Sequence, residues 1–205
     1  GIKVYGVFEL EFFLVSNELD QFGKLQPAKS VIGKKRSHIK TDVYSVDKLH
    51  EMLPLFDDIY EAAKVSGIEA ETVISEYAPG QFELTLKHQS NLLKAADDII
   101  RLKRIIRAQA RSHGITACFM AKPIENISGS GMHFHISMYD KRGNNLFADK
   151  IKNKPNQFLL NAIGGLSQTM GESMLVFAPH ANSWRRLVLG SYAPVRPNWG
   201  IDNRS

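Results

Sequence analysis

The alternation of apolar and polar positions predicts two strands that organise the chain. Residues 4–15 read VYGVFELEFFLV, an aromatic and β-branched run that is typical of a strand. Residues 132–138 alternate strictly, so His133, His135 and Ser137 share one face of a second strand, because successive side chains point to opposite faces. The other face is expected to lie in the core, and it carries Met132, Phe134, Ile136 and Met138.

A hairpin is predicted over residues 68–88, which read IEAETVISEYAPGQFELTLKH. The Ala78-Pro79-Gly80 sequence between its two strand-like runs is typical of a tight turn. The polar segment 17–41 has no sustained period and is predicted to be a long loop. The final segment, 177–205, is interrupted by prolines and glycines and is too irregular for one regular element.

Three amphipathic helices are predicted from apolar residues that recur every three or four positions. The first begins at the Ser45 N-cap and ends before Gly67, and the second runs from Gln89 to Gly114. The apolar stripe expected for the first helix is Val46, Leu49, Leu53, Phe56, Tyr60 and Ala63. The third helix spans 155–171, and its inward side chains are expected to be Phe158, Leu159, Ala162, Ile163, Leu166 and Met170.

Composition limits the class of protein. With 205 residues, of which 43% are hydrophobic, the chain is long enough for one globular domain with a substantial core. No apolar run approaches the roughly 20 residues of a membrane span, and the first residues lack the order of a signal peptide. Cys118 is the only cysteine, which excludes an internal disulfide and favours a reducing compartment. We therefore expect a cytoplasmic protein that has no membrane partner.

The net charge of +5 raises the question of a nucleic-acid partner. The basic residues are dispersed, however, and the densest group, Lys34-Lys35-Arg36, has no interleaved aromatic residues. We therefore expect no nucleic-acid partner. The phosphates of a nucleotide would be attracted to this loop equally well.

Two pairs of glutamates suggest a metal site. Glu9 and Glu11 are two positions apart in a strand, so their carboxylates face the same way, where like charges are destabilising. A divalent cation such as Mg²⁺ or Mn²⁺ would relieve that repulsion, because both ions prefer carboxylate oxygens. The alternative is the solvated polar face of an edge strand.

The hairpin adds Glu76 just before its turn and Glu83 just after it. Each of these residues alone is typical of an exposed strand glutamate, and the two histidines of the 132–138 strand alone are a weak metal signal. The five residues Glu76, Glu83, Glu9, Glu11 and His133 together predict a two-metal site of carboxylates and imidazole. Without cations such a site would be strongly negative, so a raised pKa is expected for at least one glutamate.

The order of these motifs resembles the catalytic domain of the glutamine synthetases. The motifs are ELE, EYAPGQFE, KPIENISGSGMHFHIS, NSWRRL, GSYAPV and WGIDNRS, and they follow one another across nearly the whole chain. The resemblance implies an α+β fold, with a curved antiparallel sheet and flanking helices. It also implies an enzyme that uses ATP to phosphorylate the side-chain carboxylate of glutamate, so that an amine can displace the phosphate.

Residue roles follow from the same resemblance. It implies that Glu11, Glu76 and Glu83 hold one divalent ion and that Glu9 and His133 hold a second. Gly129, Ser128 and Arg186 are implied in binding glutamate, His135 and Ser137 in binding the nucleotide, and Arg204 in contacting its phosphates. Arg186, Arg204 and Tyr192 are the residues expected to act in catalysis.

The chain begins at the ELE strand and ends just after the NRS motif. We therefore expect residues 1–205 to be a partial catalytic domain, without the N-terminal β-rich domain and the C-terminal remainder of the family. In the family, the N-terminal domain completes the site of a neighbouring subunit, which implies a homo-oligomer. The 205-residue piece by itself is expected to be inactive.

The predicted amine substrate rests on two departures from the glutamine synthetase pattern. Glutamine synthetases carry Gly-Tyr-Glu-Ala-Pro in the flap, whereas this chain has Tyr192 at the glutamate position, in Gly190-Ser191-Tyr192-Ala193-Pro194. Ser128 replaces the usual asparagine before the glycine of the glutamate pocket. This pattern is similar to the γ-glutamylpolyamine synthetase branch, so an alkyl amine or polyamine is the expected substrate. The alternatives are a glutamine synthetase that uses ammonia and an inactive structural or regulatory member of the family.

Overall fold

A computed structural model describes residues 1–32, 43–149 and 154–201 of the chain. Its sheet contains five strands, β1 (Lys3–Ser16), β2 (Ala70–Ser75), β3 (Gln81–Leu86), β4 (Ile115–Cys118) and β5 (Met132–Tyr139). Every strand pair is antiparallel, and the order is β2-β3-β1-β4, with β5 also paired to β1. The sheet is open and has helices beside it, which confirms the predicted α+β class.

The long strand β1 is the centre of the sheet, because it pairs with three other strands. β3 lies along residues 9–13 on one edge, while β5 and β4 follow one another along the opposite edge. Residues directly opposite one another in an antiparallel pair have side chains on the same face. Glu11 is opposite Glu83, and Glu9 is opposite His133. The register therefore places these four side chains on one face.

Five helices accompany the sheet in the described residues: α1 (Val46–Glu51), α2 (Leu53–Val65), α3 (Leu92–Ser112), α4 (Gln157–Phe177) and the short α5 (Ala181–Trp184). The core lies where α2 and α3 pack against the sheet. Its fully buried side chains include Phe12, Leu55, Ile59, Phe82, Leu84, Leu102 and Ile106. None of the helices in the described part of the chain is both long and apolar enough to cross a membrane.

The predicted first helix is in fact two helices. Pro54 lies in the first turn of α2, where its missing N–H removes no helical hydrogen bond, and the chain turns at the buried Met52. The turn changes the buried stripe. Val46 and Leu53 are exposed, contrary to the prediction, and Leu55 and Ile59 are buried instead.

Two apolar faces expected in the core are not covered by the described residues. No side chain of α4 is buried, and Phe158 and Leu166 are 38% and 50% exposed. On β5, Met132, Phe134 and Ile136 are 41–51% exposed, although Phe134 stacks on Phe8 with ring centroids 4.4 Å apart. Periodicity predicted correctly which residues share each face. It could not say whether another element covers that face.

Candidate active site

A carboxylate and imidazole cluster lies on the sheet where β1, β3 and β5 meet. One ligand atom each from Glu9, Glu83 and His133 falls within 4.8 Å of the others. Glu83 is buried, Glu9 is half-buried and His133 is exposed, so a cation can reach the cluster from one side. Two carboxylates and an imidazole suit a divalent metal ion. The strand register described above produces this cluster directly.

Two histidines share one oxygen of Glu9. The Nε2 atom of His135 lies 3.0 Å from Glu9 Oε2, and the Nδ1 atom of His133 lies 3.2 Å from the same oxygen. Burial raises the pKa of Glu9, but the hydrogen bonds and charges of His135 and His133 outweigh burial, so the pKa is lowered from 4.5. The pKa of Glu9 thus moves in the direction opposite to the rise that was expected for at least one glutamate of the site. The expected rise followed from the repulsion between the glutamates, whereas the two imidazoles beside Glu9 lower its pKa.

Glu11 lies beside the cluster, and its carboxylate accepts hydrogen bonds from two uncharged donors. Its Oε2 atom accepts hydrogen bonds from the backbone N–H of Gly131 at 2.8 Å and from Gln81 Nε2 at 3.0 Å. Glu11 is 9% exposed and lies opposite Glu83 in the β1–β3 pair. It therefore connects the cluster to the glycine-rich loop, residues 128–131.

Glu76 lies at the end of β2, where its backbone N–H donates to Gln81 O at 2.9 Å. Its Oε2 atom accepts from the N–H of Tyr77 at 3.1 Å. Within the described residues, Glu76 lies outside the group formed by Glu9, Glu83 and His133. The structure thus brings three of the five predicted ligands together, with Glu11 adjacent and Glu76 at the neighbouring strand end.

The glycine-rich loop packs closely around Arg186. A Cβ atom on Gly129 would lie 2.3 Å from Ala121 O and 3.1 Å from Arg186 Cγ. A Cβ atom on Gly131 would lie 2.8 Å from Arg186 Nη2. Gly129 is therefore required, because its neighbour is a backbone carbonyl, whereas the close contact at Gly131 is with the flexible end of the arginine side chain. Gly129 and Arg186, which were both predicted to bind glutamate, are therefore neighbours.

Gln81 is a residue of this site that was not predicted from the sequence. It is 1% exposed, and its side chain contacts both Glu11 and the glycine-rich loop. One signal was available, since Gln81 stands two positions before Glu83 on β3 and so shares its face. A single glutamine next to a Pro-Gly turn did not distinguish this position from an exposed polar one.

A cleft of ≈ 970 Å³ opens next to the glycine-rich loop. Tyr77 and Tyr192 both line it, with ring centroids 5.7 Å apart and ring planes inclined at 56°. Tyr192 is 69% exposed and has a left-handed backbone, with φ of 57°. The cleft is also lined by Lys122, Glu125, Ser128 and Arg185. Tyr77 was missed because it follows Glu76 in a run that predicts only a strand end.

The predicted nucleotide residues lie further along β5. His135 contacts Glu9, as described above, and Ser137 Oγ lies 3.2 Å from His88 Nε2. Tyr5, directly opposite Ser137, packs against His88 with ring centroids 5.6 Å apart. Arg204, predicted to contact the phosphates, lies outside the described residues.

Comparison with known proteins identifies the family to which this chain is similar. Residues 1–205 match the family described as "Glutamine synthetase, catalytic domain". The chain is 41% identical over 197 residues to gamma-glutamylputrescine synthetase PuuA of Escherichia coli (strain K12), covering 96% of this chain and 41% of that protein. It is 33% identical over 215 residues to glutamate–isopropylamine ligase of a Pseudomonas species, covering 100% of this chain and 44% of that protein.

A solved structure described as "GmaS/ADP complex-Conformation 1" has the same fold, with a TM-score of 0.81 and 25% identity. The superposition covers 99% of this chain and 46% of that one. The chain spans about two fifths of the length of the two curated relatives named above. The family match over residues 1–205 and the identity to these relatives show that this chain belongs to the glutamine synthetase family, whose catalytic domain it matches.

Proposed function

We propose that the full-length protein is an ATP-dependent ligase that joins the γ-carboxylate of glutamate to an amine through a γ-glutamyl phosphate. The observation that carries this proposal is the cluster of Glu9, Glu83 and His133, which lies beside the paired Gly129 and Arg186. A metal-dependent hydrolase would need the cluster but would not consume ATP. Two relatives, by their names, join glutamate to putrescine and to isopropylamine, which favours an amine as the acceptor.

The metal ligands in this proposal are Glu9, Glu11, Glu76, Glu83 and His133. Bound Mg²⁺ or Mn²⁺ ions supply the positive charge that lets ATP phosphates approach the carboxylate of glutamate. The protein holds its own ligands in place, since Glu11 accepts two hydrogen bonds and the carboxylate of Glu9 is contacted by two histidines. This rigidity suits phosphoryl transfer, which depends on positioning and charge neutralisation.

The substrates are assigned to neighbouring parts of the site. Arg186, with Gly129 and Ser128, binds glutamate, because a guanidinium group can hold a carboxylate through two parallel hydrogen bonds. His135 and Ser137 line the position of ATP, and Arg204 contacts its phosphates. The proposed assembly is a homo-oligomer that forms its sites between subunits, with residues 1–205 as part of the catalytic domain.

The amine is assigned to the cleft lined by Tyr77 and Tyr192. The face of an aromatic ring attracts a cation by about 0.5–1 kcal/mol at an exposed site. Each methylene group buried against the rings adds about 0.8 kcal/mol, which ammonium cannot gain. Two tyrosines 5.7 Å apart in a cleft of ≈ 970 Å³ therefore favour an alkylammonium ion over ammonium.

The test is phosphate release by the full-length protein with glutamate, ATP and a panel of amines. We expect kcat/KM to be higher for an alkyl amine or diamine than for ammonium. A preference for ammonium would make the protein an ordinary glutamine synthetase. If no acceptor stimulated ATP turnover, the protein would be an inactive member of the family.

A further inference from the structure

The side-chain amide of Gln81 makes four hydrogen bonds inside the candidate site. Its Nε2 group donates to Glu11 Oε2 and to Gly129 O, each at 3.0 Å. Its Oε1 atom accepts from Ser128 Oγ at 2.9 Å and from the N–H of Ala78 at 3.2 Å. An amide offers two donor hydrogens and two acceptor sites, so its capacity is fully used.

These bonds connect two parts of the site that are far apart in sequence. Glu11 belongs to β1 and is a proposed metal ligand, while Ser128 and Gly129 belong to the loop proposed to bind glutamate. Because Gln81 is 1% exposed, water cannot replace a bond that is lost there. The position of the Glu11 carboxylate and the position of the loop are therefore set by the same amide.

The loop has a second, direct connection to Glu11. The N–H of Gly131 donates to the same Oε2 atom that receives the Gln81 hydrogen bond. Glu11 is thus attached to one end of the loop directly and to the other end through Gln81. A shift of the carboxylate towards a cation would change the geometry at both ends of the loop.

We infer that Gln81 is a positioning residue that makes the binding of a divalent cation and the binding of glutamate depend on each other. The inference rests on the proposed function, since it assigns those ligands to Glu11 and to the loop. Each ligand orders groups that the other needs, and linkage requires that the two effects be equal and reciprocal. Coupling of this kind typically changes affinity by about 5- to 150-fold.

The experiment titrates the full-length protein with Mn²⁺ by calorimetry, with and without saturating glutamate and in the absence of ATP. In the unchanged protein, we expect glutamate to tighten Mn²⁺ binding by roughly tenfold. In Gln81→Leu, which loses all four bonds, this factor should fall close to one. Gln81→Asn keeps a neutral amide but is one methylene shorter, so it cannot reach Glu11 and the loop together; it should show the same loss with less risk to folding, because it adds no charge to the buried site.

Gln89→Leu is the matched control. The Gln89 amide also donates to a buried carboxylate, Asp98 Oδ2 at 3.3 Å, but it lies outside the proposed ligand set. This variant should keep the coupling factor of the unchanged protein. The melting temperature of each variant is measured in parallel, because a purely structural glutamine would lower the melting temperature and leave the coupling factor unchanged.

Two results would overturn the inference in distinguishable ways. A folded Gln81 variant that keeps the full coupling factor would show that Gln81 only fills space. If the unchanged protein bound neither Mn²⁺ nor glutamate, the proposed function itself would be wrong. The coupling assigned to Gln81 would then be wrong as well.

Discussion

Single residues at the site differ in how their negative charge is balanced. Glu11 accepts hydrogen bonds from neutral donors, and Glu9 is contacted by two imidazoles. Glu83 is 8% exposed and lies close to both Glu9 and His133. A charge in this position, shielded from water, should contribute more to cation binding than a charge on an exposed strand.

Glu83→Gln should therefore weaken Mn²⁺ binding by about tenfold or more, which corresponds to about 1.4 kcal/mol. The substitution preserves shape and removes the negative charge. The control is Glu71→Gln, an exposed position on β2, which should leave the affinity unchanged. Calorimetry on the full-length protein measures both values. Equal affinities in the two variants would remove Glu83 from the metal site.

Tyr192→Glu should move the preference of the full-length protein towards ammonium. The substitution replaces an aromatic face with a negative charge, which suits a small cation that has no methylene groups. We expect the ratio of kcat/KM for an alkyl amine to that for ammonium to fall about tenfold, as expected for a loss of about 1.4 kcal/mol. Tyr192→Phe is the control, since it keeps the ring. An unchanged ratio in Tyr192→Glu would place the amine elsewhere.

Residues with distinctive chemistry in a periodic segment could be predicted from the sequence, and residues defined by what surrounds them could not. Glu9, Glu83 and His133 were predicted because alternation fixes the face and because carboxylates side by side need a counter-charge. Gln81 and Tyr77 were missed, because their importance depends on partners distant in sequence. Gln81, for instance, accepts a hydrogen bond from Ser128, 47 positions away, and donates one to Glu11, 70 positions away.

Among the elements, those whose neighbours lie close in sequence were predicted best. The β2–β3 hairpin and α3 appear as expected, since a Pro-Gly turn and a long amphipathic stripe are local signals. The break before α2 has a local signal in Pro54, but proline in a first helical turn is also compatible with a continuous start. The exposure of α4 had no local signal, because its apolar stripe looks the same whether or not another element covers it.

The turn after β5 gives a prediction about pH. Hydrogen bonds from Asn144, and further ones from Arg142 and Gly143, lower the pKa of Asp140 from its ordinary value of 3.8. A lowered pKa contributes stability above pH 3.8, and this contribution is lost as the pH falls through the value in the folded state.

Asp140→Ala should therefore reduce the free energy of unfolding at pH 7. The difference from the unchanged protein should shrink as the pH falls below 3.8. Urea unfolding at several pH values measures this, with Asp57→Ala on the exposed side of α2 as the control. A difference that stays constant with pH would show that the charge of Asp140 does not stabilise the turn.

For the molecule as a whole, the described residues leave large apolar side chains exposed. Leu175 and Val176 on α4 are 81% and 77% exposed, and the apolar face of β5 is also partly exposed. Exposed apolar surface on a helix and a strand of this kind usually marks a contact with another part of a protein or with a partner. The chain also spans only about two fifths of its curated relatives.

The 205-residue chain produced by itself should therefore show no glutamate-dependent ATP turnover and should bind a hydrophobic dye strongly. Catalysis by positioning fails when part of the constellation is missing. Phosphate release and dye fluorescence measure the two properties, and the full-length protein is the control. Measurable glutamate-dependent ATP turnover by the isolated chain would contradict this prediction.

The pairing of β1 with three strands also limits how this protein can change during evolution. Side chains alternate along a strand, so a single-residue deletion between Glu9 and Glu11 would move one carboxylate to the opposite face. The same deletion would shift the whole pairing with β5 or with β3 by one position. Substitutions in this strand leave the pairing register unchanged. We therefore expect natural variation in β1 to consist of exchanges of residues, with insertions and deletions confined to the loops.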